Sequence, residues 1–238
     1  MKLLISNQHG AIVMALMPFL YGMLLSTPIW QHIFLLLAWF SLYLLTYPFF
    51  NLFKGHNLEL YRKWSWIYSI SAILFALPAL WYNWKIIFFV LAILPLSCVT
   101  IYYIKQRDER ALLNDLAGIT VFAIAGMAAY YFADFRFDER IWLVALYPSL
   151  FFIGTTLYIK SMLRERKNPR YLYASWLFHI FCVVIFLLLQ QYLLALAFIP
   201  PLIRAIWMPR QKLSAKQIGL REMAVSLLFF IMLLSATV

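Results

Sequence analysis

Long apolar runs, separated by short polar connections, recur along the whole chain. An α-helix needs about 20 mostly apolar residues to cross a bilayer. The pattern therefore predicts nine transmembrane helices, over residues 11–27, 31–50, 64–82, 84–104, 113–133, 141–160, 171–189, 192–208 and 220–237. These leave no room for a separate soluble domain, so we expect a single all-α transmembrane domain over residues 1–238.

Composition and charge agree with a membrane protein and assign its orientation. Apolar residues make up 65% of the 238 residues and charged residues 12%, too few polar side chains to cover a soluble core. Of the 20 Lys and Arg residues, all but Lys85, Arg136 and Arg140 lie near the N-terminus or in the second, fourth, sixth and eighth connections. Basic connections stay in the cytoplasm during insertion. We predict a multi-pass protein of the plasma membrane, with a cytoplasmic N-terminus and an external C-terminus.

A short pattern repeats after four helices. The second and sixth connections each combine a basic residue, an Asn, a Tyr and a Trp. Internal duplication is common in membrane proteins, so this spacing predicts four helices, four more and a ninth. The alternative stays open, because such residues also recur at membrane interfaces by composition alone.

Small residues and prolines mark two of the helices. The first run contains Pro18 and Gly22 and ends without a small-residue cleavage site, which favours a retained helix over a signal peptide. The fifth run carries small residues that predict a close packing face: Ala117, Gly118, Ala125, Gly126 and Ala129.

Several segments resemble known families. The segments 7–11 (NQHGA) and 17–22 (MPFLYG) resemble the YwiC-like family of bacterial membrane proteins, and the likeness continues through Asn114-Asp115 and 164–171. The nine-span layout with longer cytoplasmic connections also resembles the UbiA superfamily of intramembrane prenyltransferases. The segment 103–107, leading to Asn114 and Gly118, is similar to that superfamily's motif at its fourth connection.

The UbiA resemblance implies a prenyl diphosphate held through Mg²⁺ by Asp-rich motifs in the second and sixth connections. Asn51 and Glu59 match the two ends of the first motif, but Leu52 and Gly55 stand where Asp is expected. In the sixth connection only Glu165 is acidic. A hard divalent cation needs several carboxylate oxygens. We therefore expect no Mg²⁺ and no other cofactor or metal, and whether the protein is an enzyme stays open.

Cations in the same connections offer another way to hold a phosphate. Arg matches phosphate oxygens with its planar fork, and Lys binds them as a point charge. We predict a cytoplasmic anion cradle for a prenyl or other anionic lipid, built from Lys105, Arg107, Asn114, Arg164, Arg166, Arg170, Tyr61 and Tyr171. In the alternative interpretation these charges only anchor the topology and meet anionic lipids.

Other functions remain open beside lipid binding. His9, next to Gly10, is a candidate ligand, proton carrier or plain interfacial residue, whereas His32 and His179 pair with no other metal-binding residue type. A small transporter is favoured by the repeat, but we expect no charged residue at the membrane midplane to mark an ion path. The third possibility is a structural partner in a membrane complex. The expected partners are membrane lipids, with no nucleic acid.

Overall fold

The structure is a computed structural model that describes residues 4–5, 9–211 and 213–238; of His9, Arg210 and Ala215 it describes only the backbone. The described residues form nine α-helices: α1 (His9–Leu25), α2 (His32–Leu52), α3 (Leu58–Tyr82), α4 (Ile87–Lys105), α5 (Leu112–Asp134), α6 (Glu139–Ile159), α7 (Pro169–Leu188), α8 (Tyr192–Trp207) and α9 (Ala215–Thr237). A 3-10 turn, Trp84–Ile86, precedes α4, and another, Met208–Arg210, follows α8. One turn of π-helix, Lys160–Arg164, extends α6.

Apolar helices account for almost the whole of the described chain. Seven of them are long and apolar enough to cross a membrane, and α1 and α8 are apolar but shorter. The chain is therefore an all-helical, multi-pass integral membrane protein. Every predicted span coincides with one of these helices, and the largest difference is at α3, which begins at Leu58 rather than at 64. Nine crossings and their orientation stay predictions.

The chain divides into two compact units, residues 1–145 (unit 1) and 146–238 (unit 2), and the division falls inside α6. Each unit is described by itself below. The single domain and the repeat of four plus four plus one helices stay predictions.

In unit 1 the backbones of α1 and α5 touch. A Cβ atom added to Gly126 would lie 2.6 Å from the carbonyl oxygen of Pro18, and one added to Gly22 would collide with the carbonyl of Gly126. Ala125 and Ala129 are buried in the same core cluster. The packing face predicted on the fifth helix is confirmed around Gly126, whereas Gly118 has open space beside it.

The C-terminal end of α5 is held by side chains from other parts of unit 1. The last carbonyls of a helix have no partner within the helix, and lipid offers them none. Asn83 donates to one of these carbonyls, that of Phe132, at 3.0 Å, and His32 Nε2 lies 3.0 Å from the carbonyl oxygen of Ala129, about one turn earlier. His32 Nδ1 accepts the backbone N–H of Ile29 at 3.1 Å, which leaves Nε2 as the donor. Both ring nitrogens of His32 are therefore used in holding the fold.

In unit 2 stacked aromatic rings join four helices. Phe151 of α6 stacks on Phe229 of α9 with ring centroids 4.3 Å apart, and Phe198 of α8 lies edge-on to Phe229. Phe186 of α7 stacks on Phe198 at 5.3 Å. Such ring pairs stabilise a core beyond the area that they bury. They fix the four helices around one buried polar cluster, described below.

Candidate functional site

Four residues of the predicted cradle lie in unit 1, around its second and fourth connections. Lys54 and Glu109 join these connections through an ion pair of 2.8 Å, and Asn114 donates its side-chain amide to the carbonyl of Glu109 at 2.7 Å. Lys105 and Arg107 are exposed at the end of α4. The fourth residue, Tyr61, is buried in the first turns of α3. Both connections are thus held at one end of unit 1.

The remaining candidates of this region have varied surroundings. Asn51 is buried and donates its amide to the carbonyl of Tyr47, one turn back in its own helix, at 2.7 Å. Glu59 is exposed in the first turn of α3. The side chain of His9 lies outside the described residues. Within the described part of the chain, no three His, Cys, Asp or Glu residues come close enough to hold a metal ion, and the absence of a cofactor stays a prediction.

The other half of the cradle belongs to unit 2. Arg164, Arg166 and Arg170 are exposed around the start of α7. Asn168 caps this helix by accepting the backbone N–H of Arg170 at 3.1 Å. Tyr171 already faces a cation, because the buried Lys160 places its Nζ 5.8 Å from the centroid of the Tyr171 ring. Since the cradle residues divide between the two units, each half is a separate candidate anion site.

Unit 1 also contains an apolar groove of about 420 Å³, bordered mainly by α2, α3 and α4. Leu42, Leu45, Ala72, Ala76 and Ile93 are among the side chains that form its walls. The indole N–H of Trp39, which also borders the groove, is engaged with the carbonyl of Ala15 at 2.9 Å. Such a surface suits a hydrocarbon chain, because it offers contact area and few hydrogen-bonding groups.

A charged pair is buried inside the helices of unit 2. Arg204 of α8 and Glu222 of α9 are only 2% and 8% exposed, and Arg204 donates from one terminal nitrogen to Glu222 Oε2 at 2.6 Å. The second terminal nitrogen donates to the hydroxyl of Thr155 at 3.2 Å. The guanidinium carbon lies 4.7 Å from the centroid of the Tyr158 ring. A charge in this position is costly unless it is paired, and such residues inside membrane helices commonly mark functional sites.

His179 of α7 faces the same guanidinium. Its Nδ1 lies 2.7 Å from the carbonyl oxygen of Ser175, so Nδ1 carries the hydrogen and Nε2 presents a lone pair. That Nε2 lies 3.5 Å from a terminal nitrogen of Arg204. Gly154 of α6 leaves room for the ring, because a Cβ there would stand 2.9 Å from Nε2. The four helices therefore converge on Arg204, and we name Arg204, Glu222, His179 and Thr155 the buried centre.

The pair leaves part of its hydrogen-bonding capacity unused. Arg204 Nε and Glu222 Oε1 are buried and have no hydrogen-bond partner. A carboxylate that engaged Arg204 with both oxygens would occupy two of its donors. Glu222 uses one oxygen and one donor only. A buried polar atom without a partner costs about 1–3 kcal/mol, so this arrangement calls for an explanation other than stability.

The buried centre is what the sequence interpretation missed. That interpretation assigned Arg204 to the eighth connection and began the ninth span at 220, which placed Glu222 at its edge. In the structure Arg204 is buried inside α8, whose end at Trp207 agrees with the predicted span 192–208, and α9 begins at Ala215 rather than at 220. Glu222 then lies about 10 Å along its helix, where it is buried against Arg204. The expectation that no charged residue lies at the membrane midplane stays a prediction. The capping box of Ser214 and Gln217 is visible in the sequence and signals the earlier start.

Comparisons with known proteins give a family. The pattern of the family described as YwiC-like protein matches residues 5–130 of this chain. A Haemophilus influenzae protein, named only as uncharacterised, is 65% identical over 237 residues and covers 100% of both chains. The uncharacterised protein YwiC of Bacillus subtilis is 36% identical over 231 residues, covering 97% of this chain and 96% of its own. No solved structure matches, and the resemblance to the UbiA superfamily stays a prediction.

Proposed function

We propose that this chain, which belongs to the YwiC-like protein family, binds a long-chain anionic amphiphile at the cytoplasmic face of the plasma membrane. A prenyl phosphate or another anionic lipid has the required chemistry. The apolar groove of unit 1 carries the proposal, because it is a hydrocarbon-lined space in the unit that also presents Lys105 and Arg107. The degenerate Asp-rich motifs favour binding without Mg²⁺, so the proposal includes no prenyl transfer.

The helix geometry sets the length of such a ligand. On α3 the groove runs from Ser69 to Leu80, which at 1.5 Å per residue is about 16 Å. A headgroup beside Tyr61 would lie about 12 Å further along the same helix. A ligand that fills the groove and reaches the cations must therefore have a chain of about 28 Å when extended. This favours an isoprenoid of several units or a long acyl chain over a short one.

Blocking the groove tests where the tail lies. Ala76→Trp would place an indole ring in the groove, whereas Leu74→Trp adds the same ring at a position that is 60% exposed. Lipids that remain with the purified protein would be identified by mass spectrometry. We expect Ala76→Trp to lose the long-chain ligand and Leu74→Trp to keep it. Full retention by Ala76→Trp shows that the tail does not occupy the groove.

Paired charge removal tests the headgroup site. Lys105→Ala with Arg107→Ala removes the cations of unit 1, and Arg164→Ala with Arg166→Ala removes two of those in unit 2. We expect the first pair to reduce the bound lipid, and loss with the second pair would assign the headgroup to unit 2. Lys85→Ala serves as the control, because Lys85 lies outside both halves of the cradle. If both pairs keep the lipid after a wash with EDTA, the cradle is wrong.

The proposal also includes nine crossings, a UbiA-like bundle and a cytoplasmic N-terminus. The basic connections support this orientation. Lys85→Cys and Arg166→Cys, each in a Cys98→Ser background that keeps only the buried Cys182, would be labelled in intact cells with a reagent that does not cross the membrane. We expect labelling at 85 and none at 166. The reverse pattern contradicts the orientation.

A small transporter is the second candidate function. The buried centre of unit 2 favours it, because charged residues within membrane helices are typical of ion and substrate pathways. Uptake into proteoliposomes under an imposed proton gradient would test it. A transporter should lose uptake with Arg204→Gln plus Glu222→Gln and keep it with Ala76→Trp.

A further inference from the structure

The buried centre has donors for a second anion. Arg204 presents five N–H groups, and one of its terminal nitrogens serves Glu222 while the other serves Thr155. Its Nε has no partner although Arg204 is 2% exposed. A planar anion with two oxygens suits the fork formed by Nε and a terminal nitrogen. The unused N–H therefore indicates a ligand with the chemistry of a carboxylate.

Charge balance restricts how that ligand can enter. The pair of Arg204 and Glu222 is neutral overall, and an additional buried charge would carry a desolvation cost of several kcal/mol. An anion alone would leave the centre with a net negative charge, and a proton alone would leave it positive. Entry of both keeps the charge at zero, with the proton on the carboxylate of Glu222.

We propose that the buried centre binds a small carboxylate together with one proton. The anion occupies the guanidinium of Arg204, and Glu222 receives the proton and becomes a neutral carboxylic acid. In this exchange one O–H bond forms on Glu222, and the ion pair with Arg204 is replaced by an ion pair between Arg204 and the ligand. This inference is independent of the lipid proposal. It rests on the transporter proposal only for the step in which the bound carboxylate moves across the membrane.

Glu222 is the proton acceptor in this exchange, because the neighbouring titratable groups are already engaged or would become a second cation. From α7, His179 faces Arg204 with its Nε2 lone pair, and a proton there would place two cations 3.5 Å apart. From α6, Tyr158 donates its hydroxyl to the sulfur of Met208 at 3.0 Å. On α9 itself, Arg221 donates to the side chain of Gln211 at 2.7 Å. The carboxylate of Glu222, with Oε1 unpartnered, is where a proton adds without creating a buried net charge.

The backbone of α8 is weakened just before Arg204. Pro200 and Pro201 lie inside the helix and have no N–H, so the carbonyls of Leu196 and Ala197 lose their partners one turn back. A helix interrupted in this way bends more easily at that position. Arg204 follows by less than one turn, so a small bend of α8 moves its guanidinium relative to Glu222.

Anion-dependent stability, measured against pH, tests the proposal. The unfolding temperature of the purified protein would be followed by tryptophan fluorescence in formate or in chloride at equal ionic strength, between about pH 5 and about pH 8. For the wild type we expect stabilisation by formate, with an affinity that falls about tenfold for each pH unit. Glu222→Gln mimics the protonated acid, so its formate affinity should exceed that of the wild type at about pH 7 and be independent of pH.

The double variant Arg204→Gln with Glu222→Gln is the control. It removes both charges, so it should fold without an unpaired ion and show no specific response to formate. If Glu222→Gln does not fold, the wild type and the double variant are compared alone. The formate affinity should fall about tenfold per pH unit in the wild type, and the double variant should show no specific formate binding at any pH. An equal response to chloride, a response without pH dependence in the wild type, or an unchanged response in the double variant would each overturn the proposal.

Discussion

The contact between α1 and α5 predicts opposite effects for two glycines of the same helix. In Gly126→Ala the new Cβ would stand 2.6 Å from the carbonyl oxygen of Pro18, where ordinary contact begins at 3.4 Å. Both sides of this contact are backbone, so the helices must separate by about 0.8 Å. Overpacking of this kind costs about 1–3 kcal/mol, and here we expect the upper part of that range. The gain in helix propensity from Gly to Ala, about 1 kcal/mol, offsets only part of it.

Gly118→Ala is the matched control, because nothing lies within 4 Å of its added Cβ. It should gain about 0.5–1 kcal/mol from helix propensity alone. The two variants should then differ by about 3 kcal/mol. For a chain of this size that corresponds to about 6–12 °C in the unfolding temperature.

Thermal unfolding in one detergent, followed by circular dichroism, would measure this difference. Gly22→Ala should be as harmful as Gly126→Ala, since its Cβ would collide with the carbonyl of Gly126. If Gly126→Ala unfolds at or above the temperature of Gly118→Ala, the close crossing of α1 and α5 is wrong.

Three further substitutions test the remaining interactions by unfolding in detergent. Arg204→Gln alone leaves Glu222 buried and uncompensated, so it should cost about 3–5 kcal/mol, while the double variant with Glu222→Gln should recover most of that loss; equal losses would show that the pair is not buried. Asn83→Ala leaves the carbonyl of Phe132 without its donor and should cost about 1–3 kcal/mol, unlike Gln106→Ala at an exposed turn. Lys54→Ala should change stability by less than about 1 kcal/mol, because its partner Glu109 is 45% exposed, and a larger loss would indicate a role beyond the ion pair.

The helices of this chain could be predicted because the apolar runs are long and their connections polar. Hydropathy does not mark the first residue of a helix that begins in polar sequence. The first turn of α3 carries Glu59 and is exposed. The hydropathy therefore does not rise at Leu58, where the helix begins. The start of α9 lies in a similar polar stretch, and there the capping box was the only local sign. Hydropathy detects the part of a helix inside the bilayer, whereas caps mark its true ends.

The buried centre could not be predicted, because the sequence position of a charged residue does not show whether its side chain is buried or exposed. Arg204 lies near the end of an apolar run, so it fits the rule that basic residues mark a cytoplasmic connection as well as Lys105 does. What separates it from Lys105 is packing: the Phe151 and Tyr158 rings lie beside its guanidinium, and Glu222 comes from a helix 18 residues further along. A charge is a stronger functional candidate when the fold removes it from water and leaves part of its hydrogen-bonding capacity unused. On that criterion Arg204, not the exposed cations of the cradle, is the charge whose position most needs a function to account for it.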